Sequence, residues 1–84
     1  MAQSDCILLR IMTPEKILVE KAVSKVSLPG SRSAFMVLRN HAPLITSLEK
    51  GQVKFVSEGT EESMSIASGF VEVNENVVTV CAEV

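Results

Sequence analysis

Turn signals cut the chain into short runs of β-forming residues roughly every eight to twelve positions, and no segment sustains a helical period. Isolated strands are not stable in water, because each leaves a row of backbone groups and one apolar face without partners. In a chain of 84 residues these faces must be buried by closing a barrel or stacking two sheets. A stack is expected, as one all-β domain over residues 1–84. The fold is read as a small β-sandwich of about eight to ten short, mainly antiparallel strands.

The alternation of side chains marks the segments. Ile7, Leu9 and Ile11 share one face of a first strand from Cys6 to Met12, and Thr13-Pro14-Glu15-Lys16 makes the turn after it. A second strand begins at Ile17 to Val19 and a third is read over Ala22 to Leu28, ending at Pro29-Gly30. Phe35 and Val37 lie in a strand apolar on both faces, so that one face, around Met36 and Leu38, is free to meet a partner or to join the core. Arg39 to Pro43 turns the chain into Leu44 to Leu48. Val53 and Phe55 follow Lys50-Gly51, and Glu58-Gly59-Thr60 reads as a hairpin tip before Met64 and Ile66. Gly69 precedes Phe70 to Val73, and Asn74-Glu75-Asn76 turns into Val77 to Ala82. Internal repeats and linkers are absent from the sequence.

Composition narrows the function classes. At 46% hydrophobic and 21% charged residues, the chain is too apolar to be disordered. Eight Lys+Arg against ten Asp+Glu, with no Trp or Tyr, is the wrong balance for nucleic acid. It also gives no electrostatic attraction to anionic lipid, and no apolar run approaches a membrane span, so direct lipid insertion is not expected. Met1-Ala2-Gln3-Ser4-Asp5 lacks the basic start of a signal peptide, which favours reduced thiols. A Cys6–Cys81 disulfide stays open on sequence alone; the two are read as small apolar residues in strands.

Catalytic constellations are missing. His41 is the only histidine, and its neighbours Ala42 and Pro43 suit a hydrogen-bonding turn residue better than a general base. Gly30 and Gly51 are far apart with no Gly-Lys-Ser/Thr after them, so no phosphate loop is read. Glu58, Glu61 and Glu62 surround a hairpin tip and read as a solvated turn without the spacing of a calcium loop. No cofactor and no metal are expected.

Glu20-Lys21-Ala22, between two expected strands, resembles the hairpin that presents the modified lysine of lipoyl and biotinyl carrier domains. Lys21 would then carry the group. Such a lysine lies near the middle of its domain, whereas Lys21 is in the first quarter, and Arg10 stands where those domains have glycine. The bland alternative is a charged turn with a solvated lysine.

Residues Gly30 to Leu44 run Gly-Ser-Arg-Ser-Ala-Phe-Met-Val-Leu-Arg-Asn-His-Ala-Pro-Leu. This stretch is similar to the signature of the ε subunit of F-type ATP synthases, where an aliphatic strand and His-Ala-Pro-Leu follow a glycine loop. Other fragments fall in the family's order. These are Thr13-Pro14-Glu15 with Ile17-Leu18, Val23 to Gly30, Lys50-Gly51, Gly69-Phe70-Val71-Glu72-Val73, and Val78-Thr79-Val80. The resemblance runs in register over residues 6 to 83. Ser33, Met36 and Ser68 stand where the family usually has glycine, and Arg39 and Asn40 where Pro and Gly are common.

The resemblance implies a non-catalytic rotor subunit of the central stalk. It would pack on γ and stand on the c ring, coupling ion-driven rotation to ATP synthesis. It implies a peripheral position on the cytoplasmic face of a bacterial inner membrane, or its matrix or stromal equivalent. Arg32, Ser33 and Ala34 match the c-ring end, with Arg32 in a commonly acidic neighbourhood; Thr13, His41 and Thr46 match positions facing γ. Members of the family continue into a two-helix hairpin that senses ATP and inhibits. With Val84 as the natural end, the resemblance implies a subunit without that brake and without an ATP site; a longer chain would leave this open. An unrelated β-sandwich adaptor is the remaining alternative.

Overall fold

Ile7, Leu9 and Ile11 are almost wholly buried while Leu8, Arg10 and Met12 between them are partly open, the period-two burial that a one-sided sheet demands. Alternating burial recurs in most of the nine strands of a computed structural model that describes residues 6–84. Met1 to Asp5, on which the expectation about a signal peptide rests, lie outside the described residues. The strands are β1 (Ile7–Met12), β2 (Ile17–Val23), β3 (Lys25–Leu28), β4 (Phe35–Val37), β5 (Leu44–Leu48), β6 (Gly51–Ser57), β7 (Thr60–Ile66), β8 (Ser68–Asn74) and β9 (Val77–Glu83).

They form two sheets, a five-stranded one in the order β2-β1-β9-β8-β5 and a four-stranded one in the order β4-β3-β6-β7. All pairings are antiparallel except β1 with β9. These two strands lie at opposite ends of the chain, so no tight hairpin dictates their direction. The inner faces meet in an aliphatic core, with Val23, Val26, Val53, Val71, Val78 and Val80 fully buried and Phe55 the buried aromatic. Each such side chain contributes about 1.5–3 kcal/mol relative to exposure.

The crossing between sheets differs from the sequence reading. The break lies at Ser24, and Glu20-Lys21-Ala22 belong to β2, paired with Arg10, Leu9 and Leu8 of β1. Ser24 turns the corner by donating its backbone N–H to the Val56 carbonyl at 2.8 Å, while the Ser57 hydroxyl donates to the Ala22 carbonyl at 3.1 Å. Lys21 is therefore no hairpin tip. Its register with Leu9 points it inward at an open sheet edge. There its ammonium lies over the Phe55 ring, 5.9 Å from the centroid, and pairs with Glu62 at 3.1 Å. A carrier lysine must swing free at a turn, so the carrier reading fails on geometry. Cys81 lies in β9 as expected, but Cys6 precedes β1 rather than lying in it, and both thiols are free.

Two-residue hairpins close β6–β7 and β8–β9. Glu58 and Gly59 have φ of 53° and 77°, and Glu75 and Asn76 have 51° and 64°. Both loops thus carry two left-handed residues in a row, matching the twist of the strands they join.

Candidate functional site

The segment that leaves β3 is held at both ends. Pro29 removes a donor and ends the strand, and its carbonyl accepts from Glu49 N–H at 2.9 Å. Gly30 bridges to Leu48, and Ser31 N–H donates to the Ser47 carbonyl at 3.2 Å. The Ser31 and Ser47 hydroxyls meet at 2.7 Å. The end of β3 in the four-stranded sheet is thereby tied to β5 at the edge of the other. The chain then doubles back so tightly that a Cβ on Gly30 would lie 2.6 Å from the Ser33 carbonyl oxygen and 2.9 Å from the Phe35 ring. Arg32, Ser33 and Ala34 form the exposed tip.

His41 and Thr46 approach this loop from the other side. The His41 N–H donates to the Leu38 carbonyl at 3.1 Å, and Nδ1 lies 2.7 Å from the Ala42 carbonyl oxygen. A carbonyl only accepts, so Nδ1 carries the proton and Nε2 is left for a partner. Thr46 sits opposite Val71 on the inward-facing side of β5, half-buried at the sheet edge. A shallow concavity of about 270 Å³ is lined by Arg32, Ser33, His41 and Thr46 together with Gly30, Ser31, Phe35 and Leu44. Residues expected from sequence to meet two different partners thus share one depression.

Thr13 and Ala34 do not join it. Ala34 lines a separate depression with Pro29, Gln52 and Lys54. Thr13 holds the β1–β2 turn, its hydroxyl accepting from Glu15 N–H at 3.2 Å and Lys16 N–H at 3.3 Å. It also borders an apolar depression of about 600 Å³ with Met12, Pro14, Phe70 and Cys81.

That depression belongs to a band which sequence reasoning missed. On the outer face of the five-stranded sheet, Ile17, Met12, Cys81 and Phe70 fall in one row across β2, β1, β9 and β8. Ile17 and Phe70 are each 52% exposed, and Ile45 on the same face is 72% exposed. The available signal was parity: Phe70 is out of step with buried Val71 and Val73, as is Ile45 with Leu48. Met36 and Leu38, named from sequence, are 48% and 52% exposed beside buried Val37, so they are surface rather than core.

Replaced glycines leave the backbone unstrained. Ser33, Met36 and Ser68 all have negative φ; Asn40 is the replaced position with a left-handed backbone, at φ 67°. Asparagine is among the side chains that tolerate this conformation best. Among the described residues, no three His, Cys, Asp or Glu side chains gather as a metal site would need.

The family described as the ATP synthase delta/epsilon chain β-sandwich domain matches residues 6–84. The ATP synthase epsilon chain of Desulfitobacterium hafniense is 39% identical over 75 residues, covering 89% of this chain and 57% of that one. The epsilon chain of Chlorobaculum tepidum is 38% identical over 85 residues, covering 99% and 97%. The chain therefore spans little more than half of the first relative and nearly all of the second. A chain of the Euglena gracilis mitochondrial ATP synthase shares the fold, with a TM-score of 0.85 at 22% identity over 92% of this chain and 50% of that one. A chain of the Tetrahymena thermophila central stalk and c-ring structure gives 0.77 at 13% identity, covering 92% and 63%.

Proposed function

The chain belongs to the ATP synthase delta/epsilon β-sandwich family, and we propose that it is a non-catalytic rotor subunit of the central stalk, standing between γ and the c ring. The observation that carries this reading is the family match over residues 6–84, joined to 38% identity with an epsilon chain along nearly that chain's whole length. The unrelated adaptor is removed by the same match.

Physical features support a mechanical role. A rotor element must pass torque without shearing, and a close-packed interior resists deformation. Here the two sheets are joined at Ser24 and Ser57, at the Ser31–Ser47 contact, and across the Lys21–Glu62 ion pair. The apolar band beside Thr13 is a surface that a partner would cover, and we assign it to γ together with His41 and Thr46. The tip at Arg32, Ser33 and Ala34 is assigned to the c ring. The position that follows is peripheral, on the cytoplasmic face of a bacterial membrane or the matrix or stromal equivalent.

The test of the γ assignment is reconstitution. The purified chain mixed with γ from its own source is expected to elute as one complex in gel filtration. Separate elution at micromolar concentration would contradict it.

A further inference from the structure

On one flank of the sandwich the two sheets end in long strands, β2 and β7. Each has seven residues, no proline, and strand partners on one side alone among the described residues. The opposite flank differs: β4 has three residues, and β5 is tied by the Gly30–Leu48 bridge and the Ser31–Ser47 contacts. A long open edge is a template for another strand. On β7 the groups it offers follow from the hairpin. Glu58-Gly59 is a two-residue loop, so Ser57 and Thr60 exchange both their hydrogen bonds, and bonded and non-bonded pairs alternate from there. Thr60, Glu62, Met64 and Ile66 therefore bond β6, while Glu61, Ser63 and Ser65 turn their N–H and C=O groups outward. Val56, opposite Glu61, agrees with this phase, because its carbonyl accepts from Ser24 on the β3 side. Ser63 is the middle residue of β7. Antiparallel pairing of β7 with its copy about Ser63 sets Ser63 against Ser63 and Glu61 against Ser65, so the outward groups of both strands meet. No like charges stand opposite in that register. The same operation on β2, about Glu20, would set carboxylate against carboxylate, which disfavours it. The self-complementary edge is β7, and the occupant that its register fits is a second copy of this chain.

What opposes that pairing lies on the inward side of the same flank. Lys21 is opposite Leu9 and Glu62 opposite Phe55, both buried, so the two charges point between the sheets. They meet at 3.1 Å, with 38% and 42% of their side-chain surfaces still in solvent. A strand added to β7 would cover them, and taking an ion pair out of water is costly. In the register about Ser63, Glu62 faces Met64 of the copy, and the two Glu62 carboxylates stand two residues apart along the new seam. We propose that the Lys21–Glu62 pair is a clasp over a self-pairing edge, which keeps the unassembled chain from adding a second copy through β7. The proposal stands apart from the rotor reading, because no residue of β7 is assigned to γ or to the c ring.

The test is the mass of the full chain in solution, measured by sedimentation equilibrium at micromolar concentration. The wild-type chain is expected to be a monomer. Lys21→Val with Glu62→Val places β-forming side chains at both positions; it is expected to keep the far-ultraviolet dichroism of the fold and to double in mass. Ser63→Pro, added to that pair, removes an outward N–H without touching the β6 ladder, and is expected to return the chain to monomer. Lys21→Glu with Glu62→Lys rebuilds the ion pair in reverse and is expected to stay monomeric. If the valines prevent folding, Lys21→Met with Glu62→Gln carries the same expectation of doubled mass. A folded variant without the two charges that remains monomeric would overturn the proposal. So would a wild-type dimer, a dimer that Ser63→Pro leaves intact, or a dimer formed by the reversed pair.

Discussion

Asn40 and Asn76, 36 positions apart, hold each other: the Asn40 backbone N–H donates to Asn76 Oδ1 at 2.6 Å, and Asn76 Nδ2 donates to Asn40 Oδ1 at 3.4 Å. Both have left-handed backbones, with φ of 67° and 64°. The pair ties the turn after β4 to the β8–β9 hairpin, whose Asn76 carbonyl also accepts from Leu8 N–H at 3.0 Å. Asn76→Ala is expected to cost about 2–3 kcal/mol, combining lost hydrogen bonds with the loss of the polar side chain that lets asparagine tolerate the left-handed region. Asn76→Gly, which keeps the backbone relaxed, is expected to cost about 1 kcal/mol. Urea unfolding of both variants checks this, and equal losses would show that the backbone conformation carries no penalty.

The β6–β7 hairpin turns on Glu58-Gly59, with Glu58 at φ 53°. Asparagine at the first position of such a turn is strongly favoured over glutamate. Glu58→Asn is expected to raise stability by about 0.5–1 kcal/mol, read as a higher urea midpoint at unchanged slope. A lower midpoint would contradict the turn assignment.

Gly30 is closed in by the Ser33 carbonyl and the Phe35 ring. Gly30→Ala is expected to cost about 1–3 kcal/mol, as overpacking does. Hydrogen exchange at the Ser31 amide, now bonded to Ser47, should accelerate more than exchange at Val71 in the core. Uniform acceleration would mean that the loop is not locally strained.

His41 lies in the shared concavity with Nε2 free of hydrogen bonds among the described residues. His41→Ala is expected to weaken γ binding by more than about 1 kcal/mol in calorimetry, whereas substitutions away from an interface stay within about 0.5 kcal/mol. A smaller loss would remove His41 from the γ surface.

Period-two burial made most of the fold legible, since Ile7, Leu9, Ile11, Val71 and Val73 declare one face by alternation alone. The β2–β3 corner was not legible. Glu20 and Lys21 look like turn residues because they are charged, yet Glu20 is a cross-strand partner of Arg10 at 2.9 Å. Edge strands bear such charges as protection against stray pairing. The candidate site was legible in part. His41 and Thr46 meet Arg32 and Ser33 only because Ser31 is tied to Ser47, a contact that no local pattern encodes. The outer apolar band needed strand register, which places Met12 beside both Ile17 and Cys81.

The rotor assignment is tested most directly by affinity purification of the tagged chain from detergent-solubilised membranes of its own source. The account predicts co-elution of γ and c subunits together with ATPase activity. A clean preparation of the tagged chain, free of γ, c and ATPase activity, would contradict it.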